Sequence, residues 1–345
     1  MTYLALIVAF VASILLTPFV KKLAYRIGAV DKPNHRKVHS SVMPRLGGLA
    51  IFIAFLIGIA VAHPMDKSMV AILIGGFVIV ITGALDDMLE ITPKAKLLGQ
   101  LAAALIVIFF GGVQIDFINL PFNGKLDFGY FSIPLTILWI LAITNAINLI
   151  DGLDGLAAGV STIALVTLAG MAFIMSNGFV LVIALILAAS TCGFLFYNFH
   201  PAKIFMGDTG ALFLGFMIAV LSLLGFKNVT FISLVIPIVM LGVPISDTFF
   251  AIVRRLLNKQ PPFSPDKSHL HHRLMSLGFT HRQTVLLIYG IAAMFGVAAV
   301  TFSMATVWGA ILLITVILIA IELFVEAIGL AGQNYRPLLN LVRRK

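Results

Sequence analysis

Residues 179–196 read FVLVIALILAASTCGFLF, a run with no charged side chain. About twenty such residues carry an α-helix across a bilayer, whereas a transmembrane β-strand would alternate polar and apolar positions. The run therefore reads as a membrane helix. Ten more stretches of the same kind surround it, at roughly 3–20, 46–63, 68–84, 97–113, 131–147, 156–175, 211–225, 229–252, 284–303 and 307–330. Over all 345 residues the hydrophobic share is 61% and the charged share 11%, against about 45–50% and 25% in soluble domains. That arithmetic excludes a soluble globular enzyme, a disordered chain and a fibrous repeat. The expectation is an all-α, polytopic helical membrane protein with about eleven transmembrane helices. Cys192 is the only cysteine; it permits no internal disulfide and reads as packing. No internal repeat or low-complexity tract stands out, so residues 1–345 read as one integral-membrane domain.

The distribution of charge sets the orientation. The first stretch has no Lys or Arg before it, and Lys21 and Lys22 directly after. That polarity is wrong for a cleaved signal peptide and right for a retained helix with its N-terminus outside. Threading eleven spans from there puts 20 of the 23 basic residues on the inner side, with only Lys67, Lys125 and Lys227 outside. Cytoplasmic loops carry such an excess of Lys and Arg, so the C-terminus, with Arg343, Arg344 and Lys345, is expected in the cytoplasm. Asp31, Asp86, Asp87, Glu90, Asp151, Asp154, Asp208 and Asp266 also fall inside, as do seven of the eight histidines. Acidic residues contribute little to topology, so their gathering needs another cause. A polar active site at the cytoplasmic membrane surface supplies one, built from loops 21–45, 85–96, 145–155, 197–210 and 253–283. In the outer loop 112–130, Phe122-Asn123-Gly124-Lys125 reads as a small hairpin turn.

Each inner loop has a bland reading beside a chemical one. Arg36 to Arg45 with Gly47-Gly48 is either membrane anchoring or phosphate attraction, with glycines that let backbone approach a ligand. Asp86-Asp87 end the third span; like charges there are costly, so a solvated helix end competes with a metal, a cationic partner or a general base. In Asn145-Ala-Ile-Asn148-Leu-Ile-Asp151-Gly-Leu-Asp154-Gly155 four polar side chains recur every third residue, which keeps successive members adjacent on a helix. Capping explains one such residue better than four. Asp208, just before an apolar span, could be an N-cap, yet Asn198, Lys203 and Phe205 beside it suggest a ligand-lined loop. His269-Leu270-His271-His272-Arg273 resembles a metal tract, but oxygen donors elsewhere suit Mg²⁺ better than zinc, and these residues could equally bind phosphate. Together the inner face offers carboxylates for a hard cation, basic groups for phosphates and an aromatic for a base. Metal-assisted phosphoryl transfer needs that inventory.

At these residues the chain resembles the polyprenyl-phosphate N-acetylhexosamine-1-phosphate transferase superfamily, loop by loop and in order. The likeness rests on Asp86-Asp87 with Lys96-Leu-Leu-Gly-Gln100, on Asn145 to Gly155, on Asn198 with Pro201-Ala202 and Phe205-Met-Gly-Asp208, and on His269-Leu-His271-His272. Pro44-Arg45-Leu46-Gly47-Gly48, Ile150 and the interrupted histidine run depart from the phospho-MurNAc-pentapeptide transferases of peptidoglycan synthesis. They favour the GlcNAc-1-phosphate branch, the WecA-like and TagO-like enzymes that start teichoic acid, O-antigen or related polymers. The resemblance implies transfer of GlcNAc-1-phosphate from UDP-GlcNAc to undecaprenyl phosphate with release of UMP.

It further implies Asp208 as the ligand of Mg²⁺ (Mn²⁺ as a substitute), Asp86 or Asp87 as the base that keeps the lipid phosphate ionised, and Lys96 beside them to orient phosphates. Lys37, Asn145, Asn148, Asp151, Asp154, Asn198 and Phe205 are expected to bind substrate, with Phe205 against uracil. His269, His271 and His272, with Arg273, are expected at the phosphates or sugar. The expected setting is the plasma or inner membrane, with membrane lipids as neighbours, a homodimer allowed and no nucleic-acid partner. The rival reading is a secondary transporter with ionisable groups near the midplane. Asp247 is its clearest candidate, followed by Glu322 and Glu326.

Overall fold

The computed structural model describes residues 1–31, 42–119, 124–226, 231–257, 259, 269–330, 335 and 337–343. The chain divides into two compact units, residues 1–231 and 232–345. In the first, the apolar stretches form α1 (Thr2–Ile27), α2 (Gly47–Ala62), α3 (Met69–Leu89), α4 (Pro93–Phe109), α5 (Ser132–Leu149), α6 (Leu156–Ile174), α7 (Gly178–Asn198) and α8 (Gly207–Phe226). The second holds the rest of α9 (Phe231–Met240), then α10 (Gly242–Leu257), α11 (Leu270–Ser276), α12 (His281–Met304), α13 (Val307–Ile328) and α14 (Pro337–Arg343). Eight of the described helices are long and apolar enough to cross a membrane, with α2 a shorter apolar companion. The stretch read as one ninth span is two helices, parted at Leu241.

Local chemistry sets several ends. Thr92 caps α4 by accepting from Ala95 N, with Pro93 in the first turn where its missing N–H costs nothing. Asn177 caps α7 through Val180 N, and Thr280 with Gln283 forms a capping box on α12. Two antiparallel strand pairs interrupt the helices. Val30–Asp31 (β1) pairs with Met43–Pro44 (β2), and Phe117–Asn119 (β3) with Lys125–Asp127 (β4). The second pair flanks the turn expected at 122–125, whose residues 122 and 123 lie outside the described set.

Helix α8 is the hub of the first unit. It packs against α2, α3, α5 and α6, and Ala211 through Leu221, glycine aside, are fully buried. Lipid tails are as apolar as the helices, so close backbone approach at small residues must hold them together. A Cβ on Gly48 of α2 would lie 2.0 Å from Gly210 N, one on Gly83 of α3 2.5 Å from Thr209 Cα, and one on Gly215 2.7 Å from Thr144 Cα of α5. Gly48 thus lets two helices touch; the approach it permits is to α8. The starts of α2 and α8 are also stitched by backbone: Phe205 N donates to Pro44 O, Gly47 N to Phe205 O and Gly48 N to Met206 O, at 2.8–3.0 Å.

Candidate active site

The contact of α8 with α2 and α3 brings the first turn of α8 against the end of α3. Asp87 reaches across that contact. Its Oδ1 accepts from Asp208 N at 2.9 Å and from Arg45 Nε at 3.1 Å; its Oδ2 accepts from Thr209 N at 3.0 Å and Thr209 Oγ1 at 2.6 Å. The side chain is fully buried. Asp87 therefore satisfies the first free N–H groups of α8, the job of a cap, from a neighbouring helix. A Cβ on Gly207 would collide with that carboxylate at 2.4 Å, and Gly207 has φ +71°, so glycine is required there twice over.

Asp86 points elsewhere. Its Oδ2 lies 3.2 Å from Lys96 Nζ. The same ammonium donates to Asn148 Oδ1 at 3.2 Å and to Asp208 Oδ2, while Asn148 Nδ2 donates to Asp208 Oδ1 at 2.9 Å. One cationic atom is thus held by three oxygens contributed by α3, α5 and α8. Hard divalent cations such as Mg²⁺ take oxygen donors of this kind, so the oxygens of Asp86, Asp208 and Asn148 fit such an ion. Asp151 lies beside these groups. Desolvation first, then the charges of Asp208, Asp87 and Asp154, push its carboxyl up to about 8.

Other expected residues hold the pocket's frame. Asn145 and Gln100 exchange side-chain hydrogen bonds at 2.7 and 3.2 Å, tying α5 to α4. Asn198, 3% exposed, donates to Ile204 O at 3.0 Å and closes the 198–204 loop. Asp154 Oδ2 meets His200 Nδ1 at 2.7 Å and accepts from Ala202 N at 3.1 Å, so it fastens that loop to the 150–155 turn. Phe205 is half-buried, held in place by its backbone bonds to Pro44 and Gly47. Lys37 lies outside the described residues.

Arg45 and Thr209 join the site through their bonds to Asp87. Arg45 also reaches Asp86 O at 3.4 Å and Asp31 at 3.8 Å. Its one signal was a basic residue beside paired glycines, and that of Thr209 its place directly after Asp208.

The histidine motif belongs to the second unit. His269 precedes α11, where His271 and His272 follow. His269 and His271 rings are parallel, centroids 6.0 Å apart, and His272 lies 4.2 Å from His271. His271 is buried and its pKa is pushed down to about 3, by desolvation first and then by His272. It is neutral near pH 7. Arg273 sits in the same helix, half-buried.

Residues 69–226 match the family described as glycosyl transferase family 4. A protein of Bacillus subtilis (strain 168), a probable undecaprenyl-phosphate N-acetylglucosaminyl 1-phosphate transferase, is 49% identical over 98% of this chain and 96% of its own length. A decaprenyl-phosphate N-acetylglucosaminephosphotransferase of Mycobacterium leprae is 36% identical over 86% of this chain and 83% of its own. An undecaprenyl-phosphate alpha-N-acetylglucosaminyl 1-phosphate transferase of Escherichia coli (strain K12) is 30% identical, covering 84% and 80%.

Proposed function

This chain belongs to the polyprenyl-phosphate N-acetylhexosamine-1-phosphate transferases of glycosyl transferase family 4, and on that footing we propose that it transfers GlcNAc-1-phosphate from UDP-GlcNAc to undecaprenyl phosphate and releases UMP. The step opens a teichoic acid or similar surface-polysaccharide pathway at the plasma membrane. The whole chain acts as one transferase, N-terminus outside, with the site and the C-terminus on the cytoplasmic side. The observation that carries the reaction class is the convergence of Asp86, Asp208 and Asn148 on one cationic atom. The relatives' names support the GlcNAc donor over UDP-MurNAc-pentapeptide.

The chemistry is one displacement. An oxygen of the lipid phosphate bonds to the sugar-linked phosphorus, the bond from that phosphorus to the bridging oxygen breaks, and UMP leaves. Mg²⁺ held by Asp208 would neutralise the charge that gathers on the phosphate oxygens. Asp86 takes the residual proton of the lipid phosphate, because the oxygens of Asp87 are engaged in holding α8. Lys96 orients phosphates. Asn148, Asp151 and Phe205 line the nucleotide side, Asn145, Asp154 and Asn198 hold its walls, and the histidines with Arg273 bind phosphate or sugar.

The deciding assay gives purified protein undecaprenyl phosphate, Mg²⁺ and either UDP-GlcNAc or UDP-MurNAc-pentapeptide. UMP release with UDP-GlcNAc is expected. Release with the pentapeptide donor alone would place the chain in the other branch.

A further inference from the structure

Asp247 is the one carboxylate of the apolar stretch 229–252 and is 2% exposed. An ionisable group so placed is costly unless it is partnered. Both of its oxygens are engaged by the start of α11. Oδ2 lies 2.9 Å from His269 Nδ1, and Oδ1 accepts from Leu270 N at 2.8 Å. This is the group a transporter reading would take for a midplane ion site, and the structure gives it a different employment.

A ring nitrogen that faces a carboxylate at that distance carries the proton, so Asp247 selects the Nδ1–H form of His269. Nε2 is then the ring atom left for another partner. The ring of His271 lies parallel to it, centroids 6.0 Å apart. His269 has a carboxylate at its ring, whereas His271 is held neutral. With a second proton, on Nε2, His269 donates from both nitrogens, one hydrogen bond going to Asp247 and the other to an anionic oxygen.

We infer that Asp247 is a positioning residue of the transferase: it holds Nδ1–H of His269 and so makes Nε2 of that ring the atom offered to a phosphate oxygen. The inference rests on the transferase reading for the identity of the phosphate, and on geometry alone for the pairing. A plain cap predicts differently. Asn caps about as well as Asp, so Asp247→Asn keeps the bond to Leu270 N while removing the charge and turning an amide N–H toward His269 Nδ1.

The test is a double-mutant cycle on the full-length protein with UDP-GlcNAc, undecaprenyl phosphate and Mg²⁺, reading UMP. Asp247→Asn and His269→Gln should each lower kcat/KM at least about tenfold, and the double variant should be no slower than His269→Gln within about twofold, because the two residues act as one unit. Nitrogen-15 spectra of labelled histidines, with the His269 signal identified by its loss in His269→Gln, should show a protonated Nδ1 that Asp247→Asn abolishes. Wild-type turnover in Asp247→Asn, or losses that multiply in the double variant, would reduce Asp247 to a cap and overturn the inference. A wild-type protein that releases no UMP would overturn the transferase reading instead, and the ring spectrum would then decide the pairing by itself.

Discussion

A carboxylate whose oxygens are all engaged has little left to offer the proton of an incoming phosphate, and Asp87 is in that state, with two backbone N–H groups, a hydroxyl and a guanidinium upon it. Asp86 is less committed: its carboxylate meets the Lys96 ammonium at 3.2 Å and the Asp208 carboxyl group, and it retains some access to solvent. The two neighbours should therefore fail differently. A phosphate monoester loses its second proton near pH 6, so a base is needed below about that value and not above it. Asp86→Asn should depress turnover most on the acid side and recover in part as pH rises; Asp87→Asn should depress it by a similar factor at every pH. Full pH–rate profiles separate the two, and identical shapes would refute the division of labour. Asp208→Asn keeps the size and the capping ability of the side chain and removes its charge. Near-complete loss of UMP release with normal membrane insertion is expected, and retained activity with unchanged Mg²⁺ dependence would return Asp208 to a capping role.

The starts of α2 and α8 and the end of α3 meet because Gly48 and Gly83 let them. Gly48→Ala or Gly83→Ala would press a methyl group into backbone atoms at 2.0 and 2.5 Å, and overpacking of a tight contact costs about 1–3 kcal/mol. Both should lower the thermal midpoint and the turnover together, whereas Gly170→Ala, with open space around it, should leave both unchanged. Melting curves in detergent with parallel assays check this; full activity in Gly48→Ala would show that the convergence is looser than the backbone distances indicate. Here the sequence was legible only in part. Apolar runs announced the helices, and the row from Asn145 to Asp154 announced a polar helix end. It did not announce that Asn145 spends itself on Gln100, or Asp154 on His200 and Ala202, because those partners lie 45 or more residues away. Gly48 read as room for a ligand for the same reason: a glycine declares space, and only packing says what fills it. The break at Leu241 lies within a continuous apolar run, where only Pro237, Gly242 and Pro244 hint at it.

Across the whole chain, charge sorting and the gathering of acids make one claim, that the catalytic chemistry faces the cytoplasm. In a Cys192→Ser background, single cysteines in 253–283 and near Arg343 should label from the cytoplasmic side and one near Lys125 from outside. Labelling of all three from one side would break the eleven-span threading and the single-face site with it. Residue types made the class of reaction legible, since few other chemistries need carboxylates, basic groups and an aromatic at one membrane surface; donor and acceptor came only with the family resemblance, and the proposed split between a working and a holding aspartate rests on coordinates. The claim at the centre is that lipid phosphate attacks the donor directly in one site. Its sharpest test incubates the protein with UDP-GlcNAc and Mg²⁺, samples for UMP, then adds undecaprenyl phosphate. No UMP before the lipid, and UMP equal to lipid-linked GlcNAc-diphosphate after it, is the expected result; a stoichiometric UMP burst before the lipid is added would contradict it.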